Sequence, residues 1–574
     1  MVVLRAREEY EHWLAQPHLP ASIVDELKRM GDDPDAIESA FGSDLDFGTG
    51  GLRGIMGAGL NRMNIYTVRR ATAALASHLQ AQGAEAAGVA IGYDCRHNSQ
   101  LFAETAASTL AAYGIKSYLA PLLCPTPELS WAVRTLGTAA GIMITASHNP
   151  PKYNGYKVYN RYGGQLLEAD AKDIKNRASA ISDIFSIPSL TLAEAKEKGL
   201  VNTIESGVRA AYLERIVQDV RDERLTDERS RLKIVYTPLH GTGNVPVREV
   251  LRMAGYTQVS LVQAQVEPDG DFSTVKSPNP EEGEALSMAC KQADELAADL
   301  VMGTDPDADR VGIAVRGTDG SMQLLTGNQV GALLVNYLCE RLPKDAQGVP
   351  PIVFKTIVTS DFGAEIAKSH GIHVEETLTG FKYIGDRVTL HEQEGSYKLL
   401  VGYEESYGYL ITPIVRDKDA VQTCLAIAEM TAYYLGQGRS LIDVLDSLYE
   451  RFGYYGESLT SIELEGSDGV ERMKQVLADL RSNPLQVPGL ELTHVEDYLT
   501  GQRRYIADGR TETLSLPKSD VQKFFFSGGH WAAIRPSGTE PKMKIYVGVR
   551  ADDAASRDLW LNKIREACRQ RAGQ

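Results

Sequence analysis

Val89-Ala-Ile-Gly-Tyr93, a helical stretch over residues 100–113 and Gly141-Ile-Met-Ile-Thr145 form a strand–helix–strand pattern within the 574-residue sequence. Further β-rich runs, Leu232-Lys-Ile-Val-Tyr236 and Leu300-Val301-Met302, alternate with helical periodicity over residues 67–82 and 281–298. Alternation of this kind is typical of parallel α/β sheets. The pattern recurs three times up to about residue 455, without a clean repeat of the sequence itself.

The last part of the chain has a different pattern. Strand-like runs over residues 457–464, 505–507 and 544–549 accompany helical stretches over 469–481 and 554–571. We therefore expect an α/β protein with three similar mixed α/β domains and a smaller α+β C-terminal domain. The predicted domain bounds are 1–205, 206–325, 326–455 and 456–574.

Composition excludes several classes of function. The chain is 43% hydrophobic and 24% charged, as in ordinary globular proteins, and has neither an apolar leader nor a run of about 20 apolar residues. Its net charge of −16 argues against a nucleic-acid or membrane-surface role, because both need a broad basic surface. The six cysteines lie far apart with no CxxC pair, which favours buried thiols and a cytoplasmic protein.

A hydroxyl side chain follows the apolar run 141–144, in Thr145-Ala-Ser147-His148-Asn149-Pro150-Pro151. The carboxyl ends of strands are where α/β sheets place ligands, so Ser147 could be a reactive group. The alternative is a capped turn with no chemistry. A serine hydrolase is excluded, because neither Gly-x-Ser-x-Gly nor an acidic partner is evident.

Three carboxylates at alternate positions follow the run 300–302, in Asp305-Pro306-Asp307-Ala308-Asp309-Arg310. In a turn, this spacing can bring three oxygens to one hard cation. An EF-hand is excluded, because Arg310 and Arg316 stand where that loop needs Gly and Glu, and the strand-like residues 311–315 follow. The remaining alternative is an acidic surface turn.

Two further segments suit sugar and phosphate. Gly402-Tyr403-Glu404-Glu405-Ser406-Tyr407-Gly408 offers hydrogen bonds to sugar hydroxyls, or is a loop of solvated glutamates. Arg535-Pro536-Ser537-Gly538-Thr539-Glu540-Pro541-Lys542 could cradle a phosphate, or is an ordinary turn, and it lacks the spacing of a nucleotide P-loop. Phe47-Gly-Thr-Gly-Gly-Leu-Arg53 and Thr379-Gly380-Phe381-Lys382 combine glycine with a cation, whereas Arg416-Asp417-Lys418-Asp419 is expected to be a solvated face.

Taken together and in this order, the motifs resemble those of the α-D-phosphohexomutase superfamily, from Phe47 to Lys542. Within it, the sequence looks most like the longer bacterial phosphoglucomutases, which are related to phosphopentomutase and glucose-1,6-bisphosphate synthase. The resemblance implies four domains around one cleft: the first three would each give one loop, and the fourth would close over the substrate phosphate. It also implies Mg²⁺ as cofactor, glucose 1,6-bisphosphate as activator and a small phosphosugar as substrate.

The resemblance assigns a role to each candidate residue. Ser147 would carry a phosphoryl group and complete a Mg²⁺ site with Asp305, Asp307 and Asp309. Further catalytic residues would be Arg53, His148, Arg310 and Lys157, the last as a base or as a phosphate ligand. The sugar would be bound by Thr379, Gly380, Lys382, Glu404 and Ser406, and the non-reacting phosphate by Arg535, Ser537, Gly538, Thr539 and Lys542.

Two questions remain open at this level. In the family, Glu usually follows Gly directly, whereas Tyr403 intervenes here. Counting back from Ser406 selects Glu404 as the sugar-binding acid, with Glu405 as the alternative. The expected activity is interconversion of glucose 1-phosphate and glucose 6-phosphate, with phosphomannomutase or phosphopentomutase activity as the alternative. A non-catalytic binding protein is disfavoured by the intact serine and aspartates, and a phosphatase by the closing fourth domain.

Overall fold

A computed structural model describes residues 2–48, 50–343, 348–463, 469–536 and 542–572. The chain forms two compact units. The first comprises Met1–Leu325, Gly385–Glu394 and Tyr407–Tyr433, and the second comprises Thr326–Ile384, Gly395–Ser406 and Tyr434–Gln574.

The helices of the described residues are distributed along the whole chain. They are α1 (Val2–Leu14), α2 (Ala21–Met30), α3 (Pro34–Phe41), α4 (Ile65–Ala81), α5 (Ser99–Ala112), α6 (Thr126–Leu136), α7 (Glu168–Ser179), α8 (Leu192–Glu197), α9 (Ser206–Val220), α10 (Glu228–Arg231), α11 (Asn244–Ala254), α12 (Gly283–Leu296), α13 (Gly327–Arg341), α14 (Phe362–Ser369), α15 (Phe381–Glu394), α16 (Ala420–Gly436), α17 (Leu441–Phe452), α18 (Gly469–Ser482) and α19 (Ala554–Arg571). Within the described ranges, none of these helices has the length and apolar character that crossing a bilayer requires.

The strands belong to four sheets. They are β1 (Gly51–Ile55), β2 (Val89–Tyr93), β3 (Ser117–Leu119), β4 (Ala140–Ile144), β5 (Tyr153–Asn160), β6 (Val201–Thr203), β7 (Ile234–Thr237), β8 (Val259–Leu261), β9 (Leu300–Thr304), β10 (Val311–Arg316), β11 (Met322–Leu325), β12 (Pro351–Thr356), β13 (His373–Thr377), β14 (Lys398–Glu404), β15 (Gly408–Leu410), β16 (Tyr454–Glu463), β17 (Leu492–Asp497), β18 (Gln502–Tyr505), β19 (Thr511–Thr513), β20 (Gln522–Phe526), β21 (His530–Pro536) and β22 (Lys542–Ala551).

The first sheet has the order β1-β5-β4-β2-β3-β6. Strands β2, β3, β4 and β6 are parallel, and β5 runs antiparallel to both β4 and β1. Tyr93 is paired with Ile144, so the carboxyl ends of β2 and β4 lie side by side. The segments that follow these two strands therefore leave the sheet at the same edge.

The second sheet has the order β11-β10-β9-β7-β8. Its strands β7, β8 and β9 are parallel, whereas β10 is antiparallel to its neighbours β9 and β11. Both sheets of the first unit are thus mixed. The expectation of mixed α/β domains is confirmed, while the strand–helix alternation by itself had indicated the parallel part only.

The second unit contains two different kinds of sheet. Strands β13, β12 and β14 are parallel neighbours in that order. The C-terminal part is a seven-stranded sheet with the order β16-β22-β21-β20-β17-β18-β19, in which the pairs are antiparallel. Residues of α18 and α19, such as Leu477 and Ile564, share a buried core with this sheet. The α+β C-terminal domain is therefore confirmed.

The N-terminal helices α1–α3 were not expected from the sequence. They share a buried aromatic and aliphatic core with α4 and with the segment after α7. Trp13 is fully buried there and contacts the rings of Phe41, Tyr66 and Phe185 edge to face. The helices are therefore part of the first unit's folded core.

All six cysteines are free thiols. Four are buried as expected, whereas Cys95 and Cys290 are only half-buried. Burial raises the pKa of the Cys568 thiol to about 12, which keeps it protonated and unreactive at neutral pH.

Candidate active site

Ser147 lies just beyond the carboxyl end of β4, as the sequence predicted. Its φ is 51°, in the left-handed region that residues other than glycine seldom adopt. The Ser147 amide donates to Thr145 Oγ1 at 2.9 Å, so this turn is indeed capped. The Ser147 hydroxyl takes no part in that cap: it donates to Asp305 Oδ2 at 2.6 Å and lies 3.2 Å from His148 Nδ1.

Asp305, Asp307 and Asp309 occupy the turn between β9 and β10 and are buried, so the surface-turn alternative is wrong. One oxygen of each carboxylate lies within 4.8 Å of one oxygen of the other two. Asp305 Oδ1 accepts from the amides of Asp309 and Arg310 at 3.1 and 3.0 Å, which fixes the turn.

Two carboxylate oxygens of this group fit a cation. Asp307 Oδ1 and Asp309 Oδ1 are buried, and neither has a hydrogen-bond partner among the described residues. Oxygen ligands at this spacing are those that Mg²⁺ and Ca²⁺ prefer. The residues present therefore fit a hard divalent ion.

Two lysines offset part of this negative charge. Lys157 Nζ, on β5, lies 2.9 Å from Asp307 Oδ2 and 3.7 Å from Asp309 Oδ2. Lys418 Nζ lies 3.2 Å from Asp309 Oδ2. Burial together with the neighbouring carboxylates raises the pKa of Asp305 well above its ordinary value. Burial acts in the same direction on the pKa of Asp307, but the charge of Lys157 together with hydrogen bonds from Asp305, Lys157 and Thr126 brings that pKa below its ordinary value.

Lys157 is held here as an ammonium. Burial by itself would lower the pKa of Lys157, but the carboxylates of Asp307 and Asp309 raise it, and the net shift is upward. A lysine that acts as a base near neutral pH needs the opposite shift. The proton on Lys157 is therefore tied to the negative charge of the aspartate group.

The other candidate catalytic residues lie around the serine. Arg53, on β1, donates from Nη1 to Asn149 Oδ1 at 3.3 Å. Arg310 forms an ion pair with Glu281. Burial and the cations of Arg310 and Arg53 lower the pKa of His148 well below its ordinary value, so its imidazole is neutral at pH 7.

The charged run Arg416-Asp417-Lys418-Asp419 is buried, so its expected solvated position is wrong. Asp417 accepts from Tyr159 and Gln165 at 2.9 and 2.8 Å, and its carboxylate lies 3.1 Å from Lys418 Nζ. Lys418 is therefore a residue of the site that sequence reasoning missed. A signal was present: the run directly precedes the apolar segment 420–436, which forms α16.

In the second unit, strands β12, β13 and β14 are parallel, so their carboxyl ends meet at one edge of the sheet. Glu404 ends β14, and its Oε1 accepts from the Gly380 amide at 3.0 Å. The Thr379-Gly380 turn and the end of β14 are thus brought together. Thr379 Oγ1 is shielded from solvent and has no partner among the residues that the structure describes.

Glu405 and Tyr403, on either side of Glu404, have different roles. Glu405 Oε2 accepts from Thr359 Oγ1 at 3.0 Å, in the turn after β12. Tyr403 is fully buried, and a Cβ added at Gly331 or Gly363 would clash with its ring or hydroxyl. Its hydroxyl has no hydrogen-bond partner among the described residues. Tyr403 is therefore a core residue between helices α13 and α14.

The remaining predicted sugar ligands lie in the same unit. Lys382 is buried at the start of α15, with its Nζ 4.9 Å from the Tyr383 ring centroid. Ser406 is half-buried and follows Glu404 by two residues. The predicted sugar ligands therefore belong to two segments, which the Glu404 carboxylate joins by accepting from the Gly380 amide. One segment holds Glu404 and Ser406, and the other holds Thr379, Gly380 and Lys382.

The predicted phosphate loop joins β21 to β22. Ser537, Gly538 and Thr539 lie outside the described residues. Arg535 Nη2 donates to Tyr546 Oη at 2.9 Å, while Arg535 Nε is buried and has no partner in the described part of the chain. Lys542 forms an ion pair with Glu463 at 2.8 Å.

Comparison with known proteins gives consistent matches along the chain. Models for phosphoglucomutase/phosphomannomutase alpha/beta/alpha domains I, II and III match residues 44–184, 210–319 and 326–452, and the model for the C-terminal domain matches 465–560. A phosphoglucomutase of Staphylococcus epidermidis (strain ATCC 12228 / FDA PCI 1200) is 39% identical over 527 residues, which are 91% of this chain and 93% of that protein.

Two further comparisons agree with these matches. A phosphoglucomutase of Staphylococcus aureus (strain USA300) is 38% identical over 522 residues, 90% of this chain and 92% of the relative. A solved structure of a phosphoglucomutase/phosphomannomutase family protein from Burkholderia thailandensis has a TM-score of 0.66 at 18% identity. The likeness covers 92% of this chain and 98% of that one, and it supports the same fold.

Proposed function

The chain belongs to the phosphoglucomutase/phosphomannomutase family, and we propose that it interconverts glucose 1-phosphate and glucose 6-phosphate through a phosphoserine at Ser147. One observation carries this assignment of the chemistry. The Ser147 hydroxyl lies 2.6 Å from Asp305 in a buried group of three aspartates, two of which keep an oxygen without a partner in the described structure.

A protein-bound phosphoryl group answers a geometric difficulty of the reaction. The two substrate oxygens, O1 and O6, are too far apart for direct transfer. In the first step the bond from phosphorus to Ser147 Oγ breaks and a bond from phosphorus to the oxygen of the free sugar hydroxyl forms. The proton of that hydroxyl is removed by a base, and Ser147 Oγ gains a proton as it leaves. The resulting glucose 1,6-bisphosphate turns by about half a revolution, and its other phosphate returns to Ser147 Oγ with the reverse movement of a proton.

The aspartate group would hold the cofactor that we propose, Mg²⁺. Asp305, Asp307 and Asp309 supply the carboxylates, and Ser147 is close enough to place a phosphoryl oxygen beside them. A Mg²⁺ ion bound there would stabilise negative charge on the transferring phosphoryl group as a Lewis acid.

Lys157 is our candidate for the group that takes the proton of the attacking hydroxyl. It lies 2.9 Å from Asp307 Oδ2, and its raised pKa is caused by the aspartate charges. Neutralisation of those charges would remove this cause and favour release of the Lys157 proton. Arg53 and His148, beside Ser147, would orient the phosphoryl group.

The second unit would provide recognition of the substrate. We propose that Glu404 binds sugar hydroxyls, because it joins the Thr379-Gly380 turn to the end of β14. Glu405 would instead fix the turn after β12 through Thr359. Arg535, with Ser537, Gly538, Thr539 and Lys542, would bind the phosphate that is not reacting.

The compartment that we propose is the cytoplasm. All six cysteines are free thiols, as is usual in a reducing environment. A small phosphosugar would be the partner on which the protein acts.

The test uses purified protein with Mg²⁺ and a trace of glucose 1,6-bisphosphate. Rates on the 1-phosphates of glucose, mannose, glucosamine and ribose are compared, and intact-mass and peptide analysis locate phosphate on the protein. We expect the highest kcat/KM with glucose 1-phosphate, phosphate on Ser147, and loss of nearly all activity in Ser147→Ala. Wild-type turnover by that variant would refute the mechanism, and a higher kcat/KM on another sugar would refute the substrate.

A further inference from the structure

Arg96 lies in the loop after β2 and is completely enclosed, with no exposure of its side chain to solvent. Its guanidinium donates to main-chain carbonyl oxygens of the segment that begins at Ser147. The acceptors are Ser147 O at 2.5 Å, Asn149 O, Pro150 O at 3.1 Å and Tyr153 O at 3.0 Å. One side chain therefore satisfies four carbonyl groups across seven residues.

These hydrogen bonds act on a strained position. Ser147 has a φ of 51°, and a residue other than glycine keeps such a conformation only where its surroundings enforce it. The amide side of the loop is held locally, by Thr145 Oγ1 for Ser147 and by Ala146 O for Asn149. The carbonyl side is held by Arg96, whose removal would take this donor from the buried Ser147 carbonyl and from the half-buried Asn149 carbonyl.

Arg96 is itself fixed from two directions. Asp94 accepts from the Arg96 amide at 2.9 Å, and its other carboxylate oxygen lies 3.4 Å from Arg96 Nε. The guanidinium also lies against the ring of Phe272, 4.9 Å from the ring centroid. Phe272 is buried in the loop that follows the short 3₁₀ turn at residues 263–265. In the same loop, Asp271 Oδ1 lies 2.8 Å from His97 Nε2.

We propose that Arg96 is a positioning residue for phosphoryl transfer. It holds the main chain from Ser147 to Tyr153, so that the serine oxygen stays directed at the aspartate group. Phe272 and Asp94 keep the guanidinium in the plane that this requires. The inference rests on the proposed phosphoryl transfer at Ser147, but the effect on the loop does not depend on it.

The test is Arg96→Lys, which keeps the positive charge and removes the planar set of donors. Hydrogen exchange of the peptide that covers residues 144–156 is measured by mass spectrometry in excess chelator, so that the readout does not depend on metal or turnover. We expect at least severalfold faster exchange at Ser147 and Asn149. We also expect kcat to fall roughly 100-fold with KM for glucose 1-phosphate within about twofold, since misplacement by about 1 Å costs that much.

The matched control is Arg229→Lys in the same unit. Arg229 is also buried, donates to Leu225 O and Asp222 O, and pairs with Glu429. This control should lower the melting temperature while leaving kcat and the exchange of residues 144–156 unchanged. If both lysine variants reduce kcat alike, Arg96 has only a structural role and the proposal is wrong.

A second variant covers the case in which Arg96→Lys does not fold. Phe272→Leu keeps Arg96 but removes the aromatic face beside it, and we expect the same changes at a smaller magnitude, roughly tenfold in kcat. Unchanged exchange and unchanged kcat in this variant would overturn the proposal. If instead exchange of the loop increases while wild-type protein shows no mutase activity on any sugar phosphate, the proposed function has failed and the positioning of Ser147 has not.

Discussion

Replacing Arg535 by alanine tests whether the fourth domain holds the substrate phosphate. Arg535 donates from Nη2 to Tyr546 Oη and makes a long hydrogen bond from Nη1 to Pro536 O at 3.4 Å. Its Nε–H is buried without a partner in the described residues, so at least one charge-assisted hydrogen bond is left for a phosphate oxygen.

The expected magnitude follows from that single hydrogen bond. A hydrogen bond to a charged group contributes about 1.5–3 kcal/mol. Its loss should weaken binding by roughly ten- to a hundredfold, since about 1.4 kcal/mol corresponds to a factor of ten. The bisphosphate intermediate is held by the same group, so it should escape before the second transfer and leave Ser147 without phosphate.

The assay is a titration of glucose 1,6-bisphosphate against mutase rate, for wild type and Arg535→Ala. We expect a higher KM for the monophosphate and a higher bisphosphate concentration at half-saturation, with full rephosphorylation of Ser147. Arg510→Ala is the control, since Arg510 pairs with Glu512 on the exposed β18–β19 hairpin. Identical half-saturation and identical KM for wild type and Arg535→Ala would refute a role of Arg535 in binding phosphate.

Three further predictions follow from the site and from one buried carboxyl. Chelation should abolish activity and Mg²⁺ should restore it, and full activity in excess chelator contradicts this prediction. Asp307→Asn should raise the Mg²⁺ concentration needed for half-maximal activity by roughly tenfold or more, while the melting temperature stays near wild type. Glu404→Gln should lower kcat/KM with both glucose phosphates by roughly ten- to a hundredfold without preventing Ser147 phosphorylation, whereas a larger effect of Glu405→Gln would exchange the roles of the two acids. Burial raises the pKa of Asp419 to about 6, against hydrogen bonds from Gln422 and Tyr212 that act to lower it. The folded protein therefore binds this proton more tightly than the unfolded chain does, and the free energy of unfolding should fall by up to about 3 kcal/mol as pH rises from about 4 to 6. Melting temperatures across this range should show a flatter profile for Asp419→Asn, and equal slopes would refute the shift.

Regular elements with a strong pattern were predictable to within a few residues. The run 89–93 is β2, and the helical stretch 554–571 coincides with α19 (Ala554–Arg571). Others differ slightly: 281–298 contains the shorter helix Gly283–Leu296, and 505–507 overlaps the strand Gln502–Tyr505 only at its last residue. Apolar periodicity marks the middle of an element, whereas its ends depend on caps and turns. The domain bounds at 205, 325 and 455 stay a prediction.

Elements that depend on tertiary packing were not predictable in the same way. The helices α1–α3 bury their apolar residues against residues distant in sequence, including Tyr66 and Phe185, which both contact Trp13. Strand direction was likewise not encoded locally, since β5 and β10 insert antiparallel pairs into otherwise parallel sheets. The seven-stranded order of the C-terminal sheet depends on pairings between distant residues.

The candidate site shows the same division. Spacing in the sequence predicted that Asp305, Asp307 and Asp309 could converge, because they share one turn. It gave no reason to place Lys418 beside Asp309, more than a hundred residues away, and it favoured a solvated position for that lysine. A short run of charged residues reads the same in the sequence whether its charges pair in a core or face solvent. The burial of this run was therefore visible only in the structure.

The ring of Tyr403 imposes a constraint on how this protein can vary. Together with its hydroxyl, it occupies the space that a side chain at Gly331 or at Gly363 would need. A larger residue at either glycine is compatible with the fold only when position 403 becomes smaller. In a collection of functional variants, positions 331, 363 and 403 should therefore change as a group, with glycine at the two helical positions wherever the tyrosine is retained.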